Sequence, residues 1–170
     1  MAGKLVQVAT ETVTSAVASV DLIGTTTDDV YMITVNGYIP ATDAADLRAR
    51  VLESGSANST ANYDRAFLAL RSDTTFSNQS NVNETYYDLT TAVGSSTGEQ
   101  MNGIIYLYNA NKSSEFTFIT AENVQLSHTA ILIGNQGGAV FTSASQVNGL
   151  QFFPSTGNIE AGTFTLYKVV

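Results

Sequence analysis

Gly157-Asn158-Ile159-Glu160-Ala161-Gly162-Thr163-Phe164-Thr165-Leu166-Tyr167-Lys168-Val169-Val170 is the stretch that decides the fold. Gly157-Asn158 and Glu160-Ala161-Gly162 are turn-forming clusters. The residues after them alternate: Phe164, Leu166 and Val170 fall on one face of a strand, and Thr163, Thr165, Tyr167 and Val169 on the other. The reading is a strand with one apolar face, and the chain is expected to end inside a sheet.

The same alternation extends outward. Residues 4–10 and 12–22 read as Thr- and Val-rich strands, and residues 28–38 as another, with Asn36-Gly37 offering a turn. Two patterns compete over residues 42–53. Ala44, Leu47 and Val51 have helical spacing behind a capping Thr42, whereas Leu47, Ala49 and Val51 alternate with Arg48, Arg50 and Leu52. A strand from about Leu47 agrees better with the neighbouring segments. Residues 54–61, 72–83 and 94–103 read as long polar loops, with a segment at 67–70 and a strand near 85–90 between them. A hairpin follows, from 104–108 to 115–120, and then strands near 124–127, 130–133 and 149–153. About ten short strands separated by turn signals predict an all-β chain, a single β-sandwich domain over residues 1–170. A jelly roll with long polar loops and little helix is the expected form. No repeat of fixed period is visible, which argues against a propeller or solenoid.

Composition narrows the function classes. Apolar residues make up 44% of the 170, enough for a packed core, while charged residues are 13%, about half the usual fraction. Thr, Ser and Asn fill the polar positions, which suits strands and turns. A net charge of -8 repels free DNA and anionic bilayers, so neither nucleic acid nor membrane is an expected partner. The absence of cysteine excludes disulfides, thiolate metal sites and Cys nucleophiles. The first eight residues carry one Lys and then alternate, unlike a signal peptide, so synthesis and folding in a cytoplasm are expected.

Residues with catalytic potential are sparse. His128 is the single histidine, and a structural or surface role accounts for it. Asp28-Asp29 and the pair Asp43 and Asp46 offer oxygens, but neither has the spacing of an EF-hand, and Asp commonly caps turns. A glycosidase carboxylate pair would be expected beside tryptophan, of which there is none. Gly134-Asn135-Gln136-Gly137-Gly138 lacks the lysine of a P-loop and reads as a tight turn. No enzyme activity and no cofactor are expected.

Two places stand out as partner contacts. Arg48, Arg50, Arg65 and Arg71 fall within 24 positions, and Arg48 and Arg50 should project together if Leu47, Ala49 and Val51 face the core. An N-terminal arm over residues 1–14 offers unpaired backbone together with Leu5, Val6 and Val8; from residue 4 to residue 20 its charges are Lys4 and Glu11. Packing through this arm is expected to contribute more to docking than the arginine pair.

Four segments carry a resemblance. The final Gly162-Thr163-Phe164-Thr165-Leu166-Tyr167, together with Asp46-Leu47-Arg48-Ala49-Arg50, Gly149-Leu150-Gln151-Phe152-Phe153 and Ser155-Thr156-Gly157-Asn158-Ile159, resembles small all-β virion proteins of tailed phages, especially marine ones. Lys168 departs from that pattern, since similar sequences carry Gly after the Leu-Tyr pair. The resemblance implies a non-enzymatic structural protein of the virion, made in the host bacterial cytoplasm. Its partners would be the major capsid protein or neighbouring virion proteins, and it would form a homo-oligomer, with a trimer favoured. Small size within that class points to a capsid decoration or cement protein. The rival reading is a tail-associated or receptor-binding module whose loops contact a host glycan.

Overall fold

The computed structural model describes residues 3–170. Among them are thirteen strands and no helix: β1 (Leu5–Val13), β2 (Val20–Ile23), β3 (Tyr31–Pro40), β4 (Leu47–Glu53), β5 (Ser56–Ala57), β6 (Tyr63–Arg71), β7 (Phe76–Glu84), β8 (Tyr87–Asp88), β9 (Met101–Tyr108), β10 (Thr117–Leu126), β11 (Leu132–Phe141), β12 (Gly149–Pro154) and β13 (Ile159–Val169). They form two antiparallel sheets. The larger runs β1-β13-β3-β9-β10-β11-β6-β7 and the smaller β2-β12-β4-β5, with β8 paired to β4. The all-β, two-sheet sandwich expected from the alternation is the architecture.

Period-two burial builds the layers. In β10, Thr117, Ile119, Ala121, Asn123 and Gln125 are buried while Phe118, Thr120, Glu122 and Val124 are exposed. In β4, Leu47, Ala49 and Val51 are buried and Arg48 and Arg50 lie on the opposite face, so the strand pattern prevails over the helical one. Between the sheets, the Phe152 and Phe164 rings pack 5.2 Å apart and join β12 to β13. Tyr63 meets Tyr87 edge-on at 4.8 Å and Phe141 at 4.9 Å. Burying each such side chain contributes about 1.5–3 kcal/mol, which favours keeping the two sheets in register.

Several expectations are corrected. Asn36-Gly37 does not turn the chain. Gly37 has φ +63°, its N–H donates to Asn102 Oδ1 at 2.8 Å, and the pairing of β3 with β9 shifts between Val35 and Tyr38. The dipeptide therefore makes a bulge inside one long strand. Gly134 to Gly138 is likewise no turn but the middle of β11, paired with β10 on one side and β6 on the other. Glycine is required at 137 because a Cβ there would lie 2.2 Å from the Ala66 carbonyl oxygen. Most of the expected loop at 72–83 is β7, whose Asn- and Ser-rich sequence concealed its pairing with β6. Residues 12–22 are not one strand: β1 ends at Val13 and β2 begins at Val20, in the other sheet.

The stretch between β8 and β9 has little regular structure, but it is tied down. Asn123 Nδ2 donates to the Leu89 carbonyl at 2.7 Å, Gln125 Nε2 bonds the Thr91 carbonyl, and Val93 bridges Ala45 and Ser127. These buried amides stand where an apolar pattern would place hydrophobic residues, and they satisfy backbone that would otherwise be buried without partners.

Candidate interaction surfaces

The exposed face of the eight-stranded sheet carries an apolar field. Leu68 and Leu70 of β6, Ile104 and Tyr106 of β9, and Phe118 and Val124 of β10 all project into solvent. Phe76 and Val82 on β7 are each 68% exposed. Gly137, Gly138 and Ala66 lie between these larger side chains and line shallow grooves across β9, β10, β11 and β6. Charge on this face is low. Glu122 accepts a hydrogen bond from Gln136 Nε2 at 2.8 Å and Asp64 accepts one from the Asn83 N–H at 2.8 Å. Toward β1 the face turns polar, where Thr10 and Thr165 hydroxyls are 2.5 Å apart and those of Thr12 and Thr163 3.3 Å apart. Several large apolar side chains exposed on neighbouring strands of one sheet, interrupted by the Glu122–Gln136 pair, give this surface the character of a contact face.

The sheet also ends in two open edges, β1 and β7. Leu5, Val6 and Val8 lie on the β1 edge and are 48%, 40% and 39% exposed. The strand expected over residues 4–10 falls within β1, but it is docked in the sheet and is not a free arm. β1 pairs with β13 from Leu5 to Val13, with a bulge between Gln7 and Ala9, while residues 1–2 lie outside the described residues. β13 lies between β1 and β3, so the final strand runs inside the sheet as its alternation led us to expect. Lys168, the departure from the resemblance, has its ammonium 2.7 Å from Asp29 Oδ2 and 3.1 Å from Thr27 Oγ1.

Arg48 and Arg50 do lie side by side on the exposed face of the smaller sheet, but in different situations. Arg48 Nε is 2.7 Å from Asp88 Oδ1, and its guanidinium sits 4.0 Å over the Tyr86 ring. Arg65 Nη2 takes the other oxygen of Asp88 at 3.0 Å. Arg50 stacks 4.5 Å over Phe153 and donates from Nε to the Thr85 carbonyl at 3.0 Å. Among the described residues Arg50 has no carboxylate within salt-bridge distance. Arg71 stands apart and pairs with Asp73 at 2.8 Å. The sequence cluster of four arginines therefore separates into a buried bridge, one stacked arginine with unmatched charge, and a distant surface pair.

The aspartates singled out by sequence already have partners. Asp28 meets Lys112 at 3.5 Å, and the hydrogen bond from Lys168 holds the Asp29 carboxyl below its ordinary range. Asp43 accepts from the Ser95 N–H at 3.1 Å, and Asp46 from the Ala92 N–H at 2.5 Å. Burial nevertheless raises the Asp46 pKa, because losing solvent costs more than that bond returns. The neighbouring Tyr38 hydroxyl is pushed up first by burial and then by Asp46. Among the described residues no group of three or more His, Cys, Asp or Glu side chains is placed to hold a metal ion. His128 is exposed, and its backbone N–H donates to the Ala92 carbonyl at 3.2 Å.

Sequence reading missed the apolar face. Its signal was faint but present: Leu68 and Leu70, Ile104 and Tyr106, and Phe118 and Val124 are apolar residues on the outward phase of β6, β9 and β10, where polar residues are usual. In comparisons with protein-family models and with curated proteins, nothing matches this chain.

Proposed function

We propose that this protein is a structural component of a phage virion, a capsid decoration or cement protein that binds the shell surface in many copies. The observation that carries the reading is the set of exposed apolar side chains on the outer face of the larger sheet, with Ile104 and Tyr106 beside one shallow groove and Phe118 beside another. A sandwich that leaves such a face and two strand edges open is suited to repeated contact with neighbours. The sequence resemblance to small virion proteins supplies the particle, and the apolar face supplies the means of attachment. Long-range attraction contributes little to an acidic chain of net charge -8, so docking depends on short-range packing and backbone pairing. Arg50 adds an orienting contact, since its stacked guanidinium is free to take a carboxylate of the major capsid protein.

Quantitative mass spectrometry of purified particles tests this reading. A copy number comparable with that of the major capsid protein is expected. A handful of copies would favour a tail-associated or receptor-binding module, and absence from purified particles would overturn the assignment.

A further inference from the structure

The β1 edge has an internal symmetry that points to its occupant. Lys4 bonds Val170 through both of its backbone groups, N–H to carbonyl at 2.7 Å and carbonyl from N–H at 3.0 Å. Alternate residues of β13 continue this bonding, so Lys168, Leu166 and Phe164 hold the opposing Val6, Ala9 and Glu11 inward. Leu5, Thr10 and Thr12 then direct their N–H and C=O groups out of the sheet. The bulge between Gln7 and Ala9 adds one residue to β1, so the outward phase is odd-numbered before it and even-numbered after it.

That shift of phase restricts how two such edges can pair. In an antiparallel ladder, opposed residues must share both side-chain face and bonding direction. A second β1 related by a two-fold axis meets this condition across the bulge only when odd-numbered residues of one copy face even-numbered residues of the other. One such register places Leu5 opposite Thr10, Val6 opposite Ala9, and Lys4 opposite Glu11 of the second copy. Lys4 and Glu11 are the two charges of the edge, both exposed, and neither has an ion-pair partner among the described residues. Neighbouring registers of the same phase separate them.

We propose that the protein self-associates through β1, by antiparallel pairing with a second copy about a two-fold axis, with reciprocal Lys4–Glu11 ion pairs fixing the register. The contact joins two eight-stranded sheets into one and covers Leu5, Val6 and Val8. It is isologous and closes at two copies, in contrast to the three-fold arrangement that the resemblance suggests. It does not depend on the virion assignment.

Sedimentation of the free full-length protein over a range of concentrations tests the proposal, with far-UV circular dichroism verifying that each variant is folded. A monomer–dimer equilibrium is expected. Lys4→Glu and Glu11→Lys should each weaken dimerisation about tenfold, because two opposed pairs become like-charged. The double exchange Lys4→Glu/Glu11→Lys should restore it to near the wild-type constant. A strictly monomeric or trimeric mass for the wild type would overturn the proposal. So would a dimer that is indifferent to the single exchanges, or a double variant no better than the singles. Because the measurement uses free protein, its failure leaves the particle assignment standing, and failure of that assignment leaves this contact standing.

Discussion

Arg48 and Asp88 are partners twice over, as register neighbours of β4 and β8 and as an ion pair with Nε 2.7 Å from Oδ1. Asp88 also holds Arg65 at 3.0 Å, with its side chain 10% exposed. The bridge thus anchors the two-residue strand β8 to the smaller sheet and links that sheet to β6 of the larger. Removing the shared acid leaves two poorly hydrated guanidinium groups unmatched, whereas removing Arg48 leaves Asp88 still paired. Asp88→Ala should therefore destabilise the fold by about 3 kcal/mol and Arg48→Ala by about 1 kcal/mol. Urea unfolding of both variants measures the difference; equal losses would contradict this account of the bridge.

The glycines of β11 separate by their surroundings. A Cβ at Gly137 would meet the Ala66 carbonyl oxygen at 2.2 Å and Phe67 Cα at 2.7 Å, but at Gly134 the nearest atom is 3.8 Å away. Gly137→Ala should lower stability by about 3 kcal/mol or prevent folding, while Gly134→Ala should change it by less than about 1 kcal/mol. Thermal unfolding of the pair checks this.

How much was legible before the structure follows from the same strand. Period-two alternation revealed β4 and β13 because each puts apolar side chains on a face that is buried, but it split β10 into strands at 115–120 and 124–127 because Asn123 and Gln125 interrupt its buried face. It failed for β11, where glycines permit close approach of β6 and so look like a turn. It failed again for β7, an edge strand with no apolar face to reveal it. Arg48 and Arg50 were correctly paired in space, since Leu47, Ala49 and Val51 fixed their phase. What distinguishes them, Asp88 under one and Phe153 under the other, comes from segments distant in sequence, and a single strand's pattern does not report it.

Tyr63 ties three segments through one hydroxyl. It donates to the Asn58 carbonyl at 2.5 Å and accepts from the Val51 N–H at 3.2 Å. Tyr63→Phe keeps the ring contacts with Tyr87 and Phe141 but leaves a buried N–H and C=O without this partner. A loss of about 2 kcal/mol is expected in urea unfolding. A change below about 0.5 kcal/mol would mean that the surrounding backbone finds other partners.

Asp46 gives a pH signature. Its folded pKa is raised above the usual 3.8, chiefly by burial. Between the unfolded and folded values the native state binds more protons than the unfolded chain, so this group's contribution to stability declines as pH rises through that window. Asp46→Asn retains an acceptor for the Ala92 N–H and removes the titration. Relative to the variant, the wild type should lose stability as pH rises from about 3.8 through the raised folded-state pKa, and the difference should level off above it. A difference that stays constant, or that moves the other way, would contradict the burial assigned to this carboxyl.

Cryo-electron microscopy of intact particles distinguishes the proposed shell position from any other. Density for a two-sheet sandwich is expected at many symmetry-related positions on the capsid surface, with the Ile104–Tyr106–Phe118 face turned toward the shell or a neighbouring subunit. Density confined to the tail, or a shell bare of any such sandwich, would contradict it.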